Sequence, residues 1–193
     1  MILISDRQRQ IIDAFFLVVE EASEPKKITM DMIAKRAGIS RQSIYDKHFS
    51  NIGEIIDKIH ALVSEECEVR MQKFFSDGYR DYNDDFFKFF EQEILPLLYE
   101  KRDWLKILYS KVLDSSWADY AHKVYTPYIE LYIKKTGNQS PLANDFICSL
   151  IVRQIIAIIS NWLTNDRPEP ASLFQKKFDY LIKTSTYELL FEK

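Results

Sequence analysis

Turn-forming residues are scarce in this sequence: 193 residues hold only four glycines and six prolines. That scarcity excludes collagen-like and low-complexity chains and fits an all-helical one, since neither residue sits well inside a helix. Cysteine is scarcer still, and Cys67 and Cys148 share no short spacing with each other or with His48, His60 or His122. Such a pattern offers no disulfide framework and no metal site, and reduced thiols in a cytosol are its simplest account. Positive charge is not in excess, because the formal net charge is −3 and residues 1–60 carry as many acidic as basic side chains. A nonspecific nucleic-acid binder is therefore disfavoured, and any reading of DNA must rest on a local surface. No basic-then-apolar leader opens the chain and no apolar run reaches the ~20 residues of a membrane span, so a soluble, cytoplasmic protein with no membrane partner is expected. Phosphate-cradling glycine loops, nucleophile elbows, His-Glu-x-x-His and paired cysteines are missing too. No enzyme is supported, and no cofactor is called for.

What is present is apolar bulk, 47% of the residues, arranged at helical spacing. Ser5-Asp6-Arg7-Gln8 is a capping-box pattern that opens a helix to Ala22, with Ile11, Ile12, Phe15, Val18 and Val19 on one face. A polar loop from Ser23 to Lys27 follows. Thr29 is an N-cap candidate for a second helix through Ile33, Ala34 and Ala37, which Gly38 ends because a left-handed residue is cheap only for glycine. Ser40 caps a third helix. Ala34 is small enough for the two helices to cross closely, with Ile39 and Ile44 plugging the space between them. Arg41, Gln42, Ser43, Tyr45 and Lys47 remain on the outer side, all hydrogen-bond donors.

Thr29, Ile33-Ala34, Ala37-Gly38-Ile39-Ser40, Ile44-Tyr45 and Phe49 in this order resemble the helix-turn-helix signature of the TetR family of bacterial transcriptional regulators. The likeness covers roughly the first third of the chain. Two departures stand in it: three residues, Asp46, Lys47 and His48, separate Tyr45 from Phe49 where the family has two, and Ile52 occupies the place of a lysine. The extra residue has to be absorbed by a bulge or a helix end. The resemblance implies an all-α homodimer that binds a double-stranded, palindromic DNA operator and answers to a small-molecule effector, most often as a repressor. A coactivator of the same fold that meets another protein instead of reading DNA is the rival. Residues implied at the DNA are Thr29, Ser40, Arg41, Gln42, Ser43, Tyr45, Lys47, His48 and Asn51. Arg41 suits guanine O6/N7 and Gln42 suits adenine, with a solvated charge as the plain alternative; Tyr45 suits a phosphate, or else packs on the core.

The expected domains are 1–50, the helix-turn-helix unit, and 51–193, a helical ligand-binding and dimerisation unit. Asn51 with Glu54 opens a helix of about 25 residues toward Gly78, long enough to link the two units. Aromatic residues then crowd in over a helix from Asp84 to Glu100 that kinks or restarts at Pro96, a helix from Asp103 to Leu113, and one from Ser116 to Lys135 interrupted at Pro127 and ended at Gly137. By the resemblance, Phe86, Phe90, Trp104, Tyr109, Trp117, Tyr125 and Tyr128 are candidates to line a ligand pocket, although any single ring is as well explained as core. Ser140 to Leu163 is apolar on more than one face and needs cover on several sides. A last helix spans Ala171 to Phe191. These two segments look like the family's dimer pair, with Ile151, Ile155, Ile159, Phe178 and Ile182 as interface candidates.

Overall fold

A computed structural model describes residues 3–22, 28–76, 85–109 and 116–191, all helices and short connections with no strand among them. Helix α1 (Asp6–Glu21) starts in a capping box: the Gln8 N–H donates to Ser5 Oγ and the Ser5 N–H to Gln8 Oε1, both at 3.1 Å. Helix α2 (Met30–Ala37) is capped by Thr29, whose hydroxyl accepts from the Met32 N–H at 3.3 Å. Gly38 at φ 64° ends it, with the Ile39 N–H reaching back to the Ala34 carbonyl at 3.0 Å. This six-to-one closure is the Schellman arrangement, available at a left-handed residue that only glycine adopts without strain. Helix α3 (Arg41–Lys47) follows under a Ser40 cap. Ile11, Ile12, Phe15, Ile33, Ala34 and Ile44 pack these three helices together within the apolar core that runs on into the later helices, and Gln10 Nε2 donates to the Ala37 carbonyl at 2.7 Å.

Helix α4 (Ile52–Ser76) opens where Asn51 Oδ1 accepts the Glu54 N–H at 3.0 Å. Its 25 residues run about 37 Å at 1.5 Å per residue. The expected ends of that helix at Gly78 and of the next at Asp84 lie outside the described residues, as do the loop Ser23–Lys27 and the stretch to Leu113. Beyond them come α5 (Phe86–Phe89), a π-helical turn (Phe90–Ile94) and α6 (Leu95–Glu100) as one winding element. Pro96 causes the turn: it has no N–H to give, and the Glu91 carbonyl five residues back is served instead by Gln175 Nε2 at 3.0 Å. Arg70 of α4 ion-pairs with Glu93 of the same turn.

Helix α7 (Arg102–Tyr109) precedes α8 (Ser116–Thr136), which passes Pro127 without the expected break. Pro127 is on the exposed side, where water can serve the carbonyl that loses its donor. Gly137 at φ 83° ends α8 as read from the sequence. Helix α9 (Asn144–Leu163) lies along α8, and α10 (Ala171–Lys183) packs on α6, α9 and the π turn. The single terminal helix expected to Phe191 is two: α11 (Thr186–Phe191) begins anew because Ser185 and Glu188 form a capping box, the Glu188 N–H donating to Ser185 Oγ at 3.2 Å and the Ser185 N–H to Glu188 Oε2 at 2.6 Å. By length and mean hydropathy (1.8) α9 qualifies as a membrane span, against the sequence expectation. Its inner residues Cys148, Val152, Ile155, Ile159 and Trp162 are nevertheless buried against the protein's own core.

Candidate nucleic-acid interface and ligand cavity

The outer side of α3 is built by the two caps and the Gly38 turn, which fix its start and its crossing over α2. Arg41 lies across that surface in a small network. Its guanidinium is 3.1 Å from Asp31 of α2 and 5.2 Å over the Tyr45 ring, with the Tyr45 hydroxyl 3.4 Å away. Those partners, Tyr45 first and then Asp31, hold Arg41 firmly protonated. Gln42 Nε2 donates to Asp46 Oδ1 one turn on, at 2.7 Å. Lys47 is exposed, while Ser43 and Tyr45 are half-buried, the tyrosine ring packed on the core as its plain reading allowed. Thr29, Ser40 and Asn51 are caps whose side-chain oxygens accept backbone N–H groups; the two hydroxyls keep a proton to donate outward. The carboxylates of Asp31 and Asp46 belong to this surface and were not singled out from the sequence, although the Gln42–Asp46 spacing of one turn is a readable signal.

The extra residue between Tyr45 and Phe49 is taken up at the end of α3. His48 leaves the helical region at φ −133°, ψ −58°, and the Ile44 carbonyl accepts both the His48 N–H at 2.9 Å and the Phe49 N–H at 3.0 Å. The widened final turn turns His48 half under the surface and returns Phe49 to the core, 4% exposed.

In the body, an apolar cavity of about 50 Å³ lies between α4, α5, the π turn, α6, α8 and α9. Of the residues expected at a ligand pocket, Phe86, Phe90, Tyr109, Trp117, Tyr125 and Tyr128 line this cavity. Trp104 does not: it stacks on Phe16 of α1 at 4.9 Å and so joins the first unit to α7. The aliphatic walls Val63, Met71, Ile94, Leu98, Val152 and Ile156 went unnamed, because their spacing is that of any core helix. Polar groups surround this space while staying neutral. Burial pushes the Tyr109 phenol and the Cys67 thiol each up to about 12, and raises Tyr125 as well. Burial also lowers His60 from its ordinary value, against a smaller opposing pull from Asp57. The His60 ring lies 5.1 Å from Trp117 and 4.8 Å from Tyr120, and Tyr120 meets Ser64 at 3.0 Å. Among the described residues, His60 Nε2 and Trp117 Nε1 are buried without a well-formed hydrogen bond, although the indole acts on the Tyr109 phenol as a donor.

The interface candidates divide. Ile155 and Ile159 form cavity wall and Phe178 is wholly buried against Phe90, so these three face into the protomer and offer nothing to a second copy. Ile151 and Ile182 are half-buried. The apolar residues that α9 and α10 expose are Phe146, Leu150, Leu173 and Tyr180. The phase of α9 decides this, since a helix apolar nearly all round gives no sign of which side its own chain covers.

Residues 84–184, just over half of the chain, match a family model, TetR_C_8, described as a transcriptional regulator C-terminal region. No curated protein matches the sequence.

Proposed function

The chain belongs to the TetR family of transcriptional regulators, and from that premise we propose that it works in the cytoplasm as a homodimer that binds a palindromic DNA operator through α3 and releases it when a small molecule enters the body, that is, as a repressor. One observation carries the reading: α3 is held by Ser40, Gly38 and Thr29 so that Arg41, Gln42 and Lys47 stand together on its solvent side. Arg41 and Gln42 are the side chains for base edges, and Ser43, Tyr45 and the capping hydroxyls of Thr29 and Ser40 are donors for phosphate. His48 and Asn51 follow at the rim. A ligand acts on such a protein only through a difference in affinity between its DNA-competent and DNA-incompetent states.

Arg41→Ala should weaken binding to the best operator roughly tenfold or more and relax preference at one base pair, measured by gel shift on a selected sequence pool. Unchanged affinity and preference would remove Arg41 from the base contacts.

A second reading is favoured by a specific feature. Arg41 and Gln42 are already engaged by Asp31 and Asp46, two acidic groups on the surface that would face phosphate, and Ile52 stands where the family places a lysine. The same surface suits a protein partner, in which case the chain acts as a coactivator. Parallel capture on promoter fragments and on immobilised protein from the same lysate separates the two.

A further inference from the structure

Buried polar atoms in folded proteins are nearly always paired, and an unpaired one costs on the order of 1–3 kcal/mol. Among the described residues, neither His60 Nε2 nor Trp117 Nε1 closes a well-formed hydrogen bond, and their side chains are 2% and 3% exposed. They sit on facing helices, α4 and α8, with rings 5.1 Å apart, and Trp117 is part of the cavity wall. Trp117 thus brings one unmet polar atom to a space whose other described walls are aliphatic and aromatic, and the His60 ring packs against that indole.

We propose that this cavity takes a small, uncharged, mainly apolar molecule bearing one oxygen (a phenol, ketone or alcohol) and that the oxygen sits against the Trp117 indole N–H. The inference rests on the ligand-responsive reading above and gives it a chemical class. The indole can only donate, so the ligand atom facing it is an acceptor. A hydroxyl oxygen or a carbonyl oxygen each supplies that acceptor. Charge is excluded by the surroundings. The phenol and thiol nearby are neutral, His60 is kept neutral near pH 7 by its burial, and among the described residues no cation lines the space, so a carboxylate would be desolvated without compensation from them. Size is bounded as well. Apolar cavities of ~150 Å³ admit benzene, so at about 50 Å³ the walls must yield to a ring of that size. Phe90 and Ile94, the two ends of the π turn, are among those walls, and a backbone already off the α-helical register is where such yielding is cheapest.

The test is ligand-observed NMR titration of the full chain with benzene, phenol, cyclohexanone and benzoate. Phenol and cyclohexanone should bind about tenfold or more tightly than benzene, the margin of one satisfied buried donor, and benzoate should not bind. Trp117→Phe, which removes the N–H along with the five-membered ring, should bring phenol down to the level of benzene in the same variant. Equal binding of phenol and benzene, preference for benzoate, a preference that survives Trp117→Phe, or no binding by any probe would each overturn the proposal. Should the variant fail to fold, the ratio of phenol to benzene on the unaltered protein decides. A phenol that binds as described yet changes neither operator nor partner capture would refute the switch and leave the site's chemistry standing.

Discussion

In α1–α3 the side chains that matter stand on the outside of the packed helices, and each is placed by a local device: a cap, a left-handed glycine, a one-turn pair. In the body the opposite holds, because what matters there is space left over where α4, the π turn, α8 and α9 fail to fill the volume between them. A surface function can be lost one side chain at a time while the fold stands. A cavity function is bound to the packing, so most changes at its walls also change stability. The contrast teaches where mutation separates function from folding in this protein, and four measurements press on it.

The largest effect should come from Phe178→Ala. Phe178 is wholly buried and stacks on Phe90 at 5.2 Å, so truncation should cost about 3–5 kcal/mol in urea unfolding. If the contrast holds, the amide spectrum of α2 and α3 in the surviving folded fraction stays unchanged; a collapse of both regions together would mean that they are not separable. Next, Leu150→Asp should split the proposed dimer into monomers by light scattering, since Leu150 is half-exposed on the outer side of α9, whereas the same change at Ile155 should unfold the protomer. A dimer that survives Leu150→Asp moves the interface elsewhere.

A smaller and local loss is expected at Ser40→Ala. The hydroxyl accepts the Ser43 N–H at 3.1 Å, and its removal should cost about 1 kcal/mol; operator affinity should fall while phenol binding in the body is untouched. The smallest effect is one of pH. His60 has a folded value below its unfolded 6.5, so on acidification through 6.5 the unfolded chain takes up the proton first and stability falls, whereas above 6.5 the contribution is fully present. Urea melts at pH 7.5 and pH 5.5 should show this loss, reduced in His60→Gln. An identical pH response in the variant would assign the titration to other groups.

Much of the first unit was legible because its determinants are short-range. The Ser5 capping box, the Thr29 and Ser40 caps, and Gly38 each act within a few residues, and each appears in the structure where the sequence places it. Spacing misled where two devices competed. Pro127 reads as a break, yet α8 continues on its exposed side; Ser185 and Glu188 read as helix, yet they begin a new one. Asp31 carries no signal in the sequence, because it meets Arg41 only across the turn between two helices.

By itself the sequence determined the helical class, the capped turn and the polar outer side of α3, since hydrogen bonds within one or two turns fix those. Tertiary structure alone decided that Trp104 belongs to the junction with α1, that Ile155, Ile159 and Phe178 face inward, and that, among the described residues, His60 Nε2 and Trp117 Nε1 close no well-formed hydrogen bond. The physical reason is one of range: periodicity states that a helix has an apolar side, but which neighbour covers that side, and where packing falls short, depends on elements tens of residues away.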